Sequence, residues 1–233
     1  DKNGFEALKP DIVMTFGGMV VSKKVKAFLR TYQPKDHWHI DAHRYNDTFF
    51  CLTKHIRATP NFFFSKFLPR VTHNIKSDYK RSWLGTRKHR RKMHKTYLET
   101  IPFSDFLVFN DVLQSLPRPC HLQVGNSSAI RYTQLFQINK EINVFCNRGT
   151  SGIDGCTSTA IGSALVENNP TVLITGDLSF FYDSNALWNN YIPKNFRIIL
   201  INNEGGGIFR ILPGHKNTEN FDTYFETKHQ LNA

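Results

Sequence analysis

Apolar and polar positions alternate along the 233-residue chain in a regular rhythm. Short apolar runs closed by turn residues read as buried strands; apolar residues spaced three and four apart read as helices. Asp-Ile-Val-Met-Thr-Phe at 11–16 reads as a strand broken by Gly17-Gly18, and Val21, Val25, Phe28 and Leu29 predict a helix over Lys23–Tyr32. A second strand is predicted at His37–Asp41. Phe49–Ile56 is mixed, and Phe62–Phe64 is an apolar run close to Pro60 and Pro69. Residues 77–98 predict one long helix. Beyond it the rhythm sharpens. Phe106–Leu116 is an amphipathic helix stopped by Pro117 and Pro119. Strands are predicted at His121–Val124, Asn143–Cys146, Thr171–Thr175 and Arg197–Ile201, with helices from Ser128, over Cys156–Val166 and over Phe180–Trp188. Strands followed by polar loops and helices describe an α/β fold, a doubly wound parallel sheet with flanking helices. Part of a second α/β domain is expected before it. The expected division is 1–76, a partial α/β domain; 77–101, a linking helix; and 102–233, the doubly wound domain.

Composition and charge narrow the possibilities. A 40% hydrophobic, 13% aromatic chain with 20 Phe is long enough to bury a sizeable core. It holds no apolar run of membrane-spanning length and no basic-then-apolar leader at its start, so no membrane partner is expected and a cytoplasmic location is. The net charge of +11 is uneven: residues 1–100 hold 21 Lys and Arg against 8 Asp and Glu, and residues 101–233 hold 9 against 11. The basic run Arg87, Lys88, Arg90, Arg91, Lys92 and Lys95, with Tyr79, Trp83 and Tyr97 interleaved, has the ingredients of a nucleic-acid contact. A solvated helix with aromatics on its packed face explains it more simply, and no recognisable nucleic-acid-binding motif accompanies it. Four cysteines without a CxxC pair are expected to be reduced thiols, and the 10 histidines lack zinc spacing.

Ligands of doubly wound sheets lie beyond the carboxyl ends of the strands. Ser127, Arg148, Asp177, Asn203 and several glycines fall there. A carboxylate, an amide oxygen and a glycine-turn carbonyl make a hard-oxygen set that suits Mg²⁺ sharing its shell with phosphate. Backbone N–H groups of Asp177–Ser179 and Gly205-Gly206 are expected to meet phosphate oxygens directly. Alone, Asp177 reads equally as a helix cap and Asn203 as a turn residue.

Together the motifs say more. Gly176-Asp177 followed 26 positions later by Asn202-Asn203 resembles the diphosphate motif of thiamine-diphosphate enzymes. Gly125-Asn-Ser-x-x-x-Arg131, Asn147-Arg-Gly-Thr-Ser-Gly-Ile-Asp-Gly155, Tyr182-Asp-x-Asn-Ala-Leu187 and Asn202-Asn-x-Gly-Gly206 before Ile208-Phe209 are spaced as in one family. It is the 2-succinyl-5-enolpyruvyl-6-hydroxy-3-cyclohexene-1-carboxylate synthase family of menaquinone biosynthesis. The resemblance implies a partial chain: it would begin inside a central domain, end inside the diphosphate-binding domain and lack the pyrimidine-binding domain with its ylide-promoting glutamate. No catalytic residue is therefore expected here, and the isolated stretch is expected to be inactive. The cofactor would sit between two subunits of a homodimer or homotetramer.

The resemblance also implies roles. Asp177, Asn203 and the Gly205 carbonyl would hold Mg²⁺; Leu178, Ser179, Gly205 and Gly206 would line the diphosphate; Ile153 would prop thiamine diphosphate in its bent form. Ser127, Arg131, Arg148, Lys23, Ile208 and Phe209 would receive the substrates, 2-oxoglutarate and isochorismate, the arginines by pairing with carboxylates. Lys23, in a lysine-rich helix start, reads more simply as a member of a surface ion pair. The implied reaction is decarboxylation of 2-oxoglutarate and addition of the remaining unit to isochorismate. Alternatives are an acetolactate synthase or 2-oxo-acid decarboxylase, a basic nucleic-acid-binding module through 87–95, and a degenerate scaffold domain.

Overall fold

The computed structural model describes residues 2–18, 20–72, 76–212, 214 and 218–232. Two units divide the chain, Asp1–Thr100 and Ile101–Ala233. The first runs α1 (Lys2–Ala7), β1 (Ile12–Phe16), α2 (Lys23–Thr31), β2 (Asp36–Ile40), β3 (Lys54–Ile56), α3 (Pro60–Phe67) and α4 (Tyr79–Thr100). Its three strands are parallel in the order β1-β2-β3. The Ser22 hydroxyl starts α2 by accepting from the Val25 N–H at 3.3 Å. Thr59 does the same for α3, where Pro60 at the first turn fits a position that needs no N–H. The mixed stretch 49–56 thus contributes only β3, and Phe62–Phe64 is helical.

Helix α4 covers almost all of the stretch read above as a link. None of its residues is buried, so its basic side chains meet water. Its aromatic end packs within the first unit: the Tyr79 hydroxyl donates to the Leu8 carbonyl at 3.3 Å, and Trp83 meets Phe28 edge-on at 6.2 Å.

The second unit runs α5 (Asp105–Ser115), β4 (Cys120–Val124), α6 (Ser128–Thr133), β5 (Ile142–Cys146), α7 (Cys156–Val166), β6 (Thr171–Gly176), α8 (Asp177–Tyr182), β7 (Phe196–Ile201) and α9 (Ile208–Ile211). Its strands are parallel in the order β5-β4-β6-β7. All five residues of β4 are buried, as a strand paired on both sides and covered on both faces requires. On α7, Ala160, Ile161 and Ala164 pack against Leu173 and Phe196. Its small residues let the helix lie close to the sheet.

Sheet order fixes where a ligand fits. From β4 the chain moves to β5 on one side, then crosses to β6 on the other. The loops after β4 and β6 therefore part at a topological switch point, where open α/β sheets bind ligands. Gly125 is needed at that divergence: a Cβ there would lie 2.8 Å from Thr175 Oγ1 and 3.2 Å from Thr175 Cα. One expectation changes. Phe180–Trp188 is not one helix: α8 starts at Asp177 and stops before Asp183, and a 3₁₀ turn follows at Ser184–Leu187. Asp183 leaves helical geometry and its carboxylate accepts from the Ser158 N–H at 2.7 Å and the Ser158 hydroxyl at 2.5 Å, capping the start of α7. Among the described residues, no helix is long and apolar enough to cross a membrane.

Candidate active site

A cavity of about 420 Å³ opens at the switch point of the second unit. Around it stand Ser127, Arg131, Arg148, Ile153, Asp177, Leu178, Ser179, Asn203, Gly205, Gly206, Ile208 and Phe209. They come from the loops after all four strands, up to 82 positions apart in sequence, counting from 127 to 209. Lys23 belongs to the first unit, at the exposed start of α2, and is not one of the residues around this cavity.

One end of the cavity is rich in oxygen. Asp177 is buried, and its carboxylate accepts from the Leu178 N–H at 2.7 Å and the Gly205 N–H at 2.9 Å. Oδ1 keeps a further lone pair, while Oδ2 also faces His229 Nε2 at 3.2 Å. Asn203 donates its amide N–H to Asp105 Oδ2 at 2.8 Å, so Oδ1 is the end available to a ligand. The Gly205 carbonyl accepts from the Gly207 N–H at 3.0 Å. A carboxylate, an amide oxygen and a carbonyl, each with acceptor capacity left, match the donor chemistry of Mg²⁺. Among the described residues no group of three or more His, Cys, Asp or Glu side chains is arranged for a metal.

The backbone amides correct the sequence reading. The Leu178 and Gly205 N–H groups are engaged by Asp177, and the Gly206 N–H donates to the Glu226 carbonyl at 2.5 Å. They are not open donors for phosphate. For Gly206 the partner belongs to a π-helical turn, Phe221–Glu226, that closes on the glycines. It approaches so near that a Cβ on Gly205 would lie 2.6 Å from the Glu226 carbonyl oxygen, and one on Gly206 2.9 Å from that of Phe225. Glu226 is itself buried and paired with Arg210, which fastens the turn beside α9. The Ser179 hydroxyl likewise donates within the protein, to the Ile153 carbonyl at 2.5 Å. That bond ties α8 to the loop before α7 and sets Ile153 at the cavity.

The other end is cationic. Arg131 on α6 donates from Nη1 to the Ser127 carbonyl at 2.6 Å, one helical turn away. Arg148 donates from Nη1 to Asn126 Oδ1 at 3.0 Å, and its buried Nε has no hydrogen-bond partner among the described residues. Burial, then the neighbouring Arg148 charge, holds the Arg131 pKa below its ordinary value. Two half-buried guanidiniums that repel one another and leave a donor unpaired form a site that an anion stabilises. Ser127 holds φ +67 and ψ −125, a strained conformation for a residue with a side chain, and such strain gathers at functional loops.

Three residues around this site were not singled out in the sequence. Asn126 is buried and joins both loops, donating to the Asn147 carbonyl at 2.6 Å and the Gly152 carbonyl at 2.5 Å while accepting from Arg148. Asp105 orients Asn203. The His229 imidazole Nε2 lies 3.2 Å from Asp177 Oδ2, and its ring meets Phe181 edge-on at 5.4 Å. Asn126 had a visible signal, the Gly-Asn-Ser triplet after a strand; the other two had none beyond residue type. Burial, first, pushes the Cys146 thiol up to about 11, and all four cysteines are free thiols.

Known proteins sharpen this geometry. The 2-succinyl-5-enolpyruvyl-6-hydroxy-3-cyclohexene-1-carboxylate synthase of Flavobacterium psychrophilum is 59% identical over 229 residues, 98% of this chain and 42% of that protein. The synthase of the same name from Flavobacterium johnsoniae is 58% identical over 233 residues, 100% of this chain and 42% of its own length. The chain belongs to this synthase family. More distant members align as completely, such as that of Phocaeicola vulgatus, 38% identical over 98% of the chain. The chain spans about two fifths of the length of these synthases. No family model matches it.

Proposed function

We propose that this stretch supplies the magnesium–diphosphate half of a thiamine-diphosphate site together with the cationic wall that receives substrate carboxylates. The whole enzyme then decarboxylates 2-oxoglutarate and joins the remaining unit to isochorismate. The observation that carries this reading is the meeting of Asp177, Asn203 and the glycine turn with Arg131 and Arg148 around one cavity. When bound, thiamine diphosphate supplies the carbanion chemistry.

The residues have separable tasks. Asp177, Asn203 Oδ1 and the Gly205 carbonyl hold Mg²⁺. Because the Leu178, Gly205 and Gly206 N–H groups are engaged within the protein, the metal rather than these amides balances the diphosphate charge at this end. Leu178, Ser179 and Gly206 then shape the diphosphate slot. Ile153 gives the cofactor an apolar prop. Arg148, through its unpaired Nε, and Arg131 take a substrate carboxylate, which also relieves their mutual repulsion. Ser127 sets the start of α6 and so the reach of Arg131. Ile208 and Phe209 wall the pocket with apolar surface, and less water makes each charge pair stronger. The pyrimidine end of the cofactor, and the group that moves its proton, are assigned to a second subunit.

Steady-state kinetics of the full-length enzyme test this division. Arg148→Ala is expected to raise KM for a carboxylate substrate by roughly 10-fold or more, the worth of a charge-assisted hydrogen bond. Cofactor affinity should stay within about twofold, below the tenfold that ~1.4 kcal/mol represents. An equal loss of cofactor affinity would move the substrate pocket elsewhere.

A further inference from the structure

An asparagine that is to ligate a metal through oxygen has a choice to make. Its two amide ends are similar in size and opposite in hydrogen-bonding sense, so the network around it decides which end faces the ion. In this chain the decision falls to one side chain. Asn203 donates its amide N–H to Asp105 Oδ2 at 2.8 Å, across 98 positions of sequence. We infer that Asp105 is a positioning residue that fixes the Asn203 amide with Oδ1 toward the metal, an inference that rests on the magnesium reading above.

Three observations support it. A carboxylate only accepts, so Asp105 can bind the nitrogen end of Asn203 and never the oxygen end. Asp105 borders the same cavity as Asn203 and Asp177. It is also rigidly mounted: it opens α5, whose Phe109 and Leu113 are buried and whose Phe109 ring stacks on Tyr132 of α6 at 5.2 Å. That contact references Asn203 to the helix that carries Arg131. The metal end and the cationic end thereby share one frame.

The test is calorimetric titration of Mg²⁺ into the full-length enzyme with thiamine diphosphate present. Asp105→Ala is expected to weaken Mg²⁺ by about 10- to 100-fold, the usual effect of removing a group that orients a ligand. Melting without metal or cofactor should barely change. Asp105→Asn, of equal shape but able to donate or accept, should fall between alanine and wild type. Asn203→Asp supplies the decisive background, because both ends of that side chain are oxygens and there is no orientation left to select. Removing Asp105 there should cost no further Mg²⁺ affinity, a coupling that a merely structural role would not produce. Wild-type affinity in Asp105→Ala, or an equal loss in both backgrounds, would overturn the inference alone. A wild-type enzyme that binds the cofactor equally well without Mg²⁺ would overturn the metal reading and this inference with it.

Discussion

Both units are built from parallel βα elements, yet among the described residues the proposed site draws on only one of them. The first carries the large surplus of Lys and Arg, and displays much of it along α4, where no residue is buried. The second has slightly more acids than bases, and aims two arginines at a cavity through bonds to Asn126 and Ser127. Placement of charge, not its amount, makes the site. The strands repeat the contrast. Strand β1 stands at the edge of its sheet with Ile12 and Phe16 half exposed; β4 is paired on both sides and wholly buried. The switch point falls between the central strands β4 and β6, and the loops of the flanking strands β5 and β7 complete the cavity there.

The largest effect expected from breaking this contrast is at Asp177. Asp177→Ala should abolish Mg²⁺-dependent cofactor binding and, by orphaning the Leu178 and Gly205 N–H groups, lower stability by about 1–3 kcal/mol for each buried donor. Calorimetry and urea unfolding read the two separately.

Core truncation sharpens the comparison. Leu173→Ala in β6, 1% exposed, should cost about 2–5 kcal/mol. Ile12→Ala on β1, 50% exposed, should cost at most about 1 kcal/mol in urea unfolding. Equal losses would mean that β1 is as enclosed as β6.

A smaller effect concerns pH. His37 is wholly buried in β2, shares the Thr15 hydroxyl with His39 at 2.9 Å each, and has its pKa lowered from the usual 6.5, chiefly by burial. Asp47 opposes that shift and His39 adds to it. The folded state therefore holds this ring neutral while the unfolded chain protonates it near 6.5. Stability should be undiminished above that pH and fall as pH drops below it toward the lower folded value. Urea midpoints at pH 7.5 and 5.5 check the slope, which His37→Asn should flatten. Smallest of all, Arg87→Gln with Lys88→Gln on α4 should stay within about 0.5 kcal/mol of wild type in the same assay.

Much of this was written in local pattern. Apolar runs mark the strands, and Asp177 and Asn203 stand out because they lie just past the ends of two of them. What was missed depends on distance. Asp105 looks like an ordinary acid in the first turn of a helix until Asn203, far along the chain, turns out to need an acceptor. His229 lies in a segment without periodicity and gains meaning only beside Asp177. The glycines at 205 and 206 read as open phosphate-binding amides; Asp177 takes the Gly205 N–H and the Phe221–Glu226 turn takes that of Gly206, a contact no spacing announced. Phe180–Trp188 kept its apolar look while Asp183 left the helix to cap another.

The central claim is that the oxygen end of the cavity binds diphosphate through a metal. Titrating thiamine diphosphate into the full-length enzyme by calorimetry, with Mg²⁺ and then with chelator, tests it most directly. The account predicts binding with Mg²⁺ and its loss with chelator, and no binding under either condition for Asp177→Ala. Equal affinity with and without the metal would contradict it.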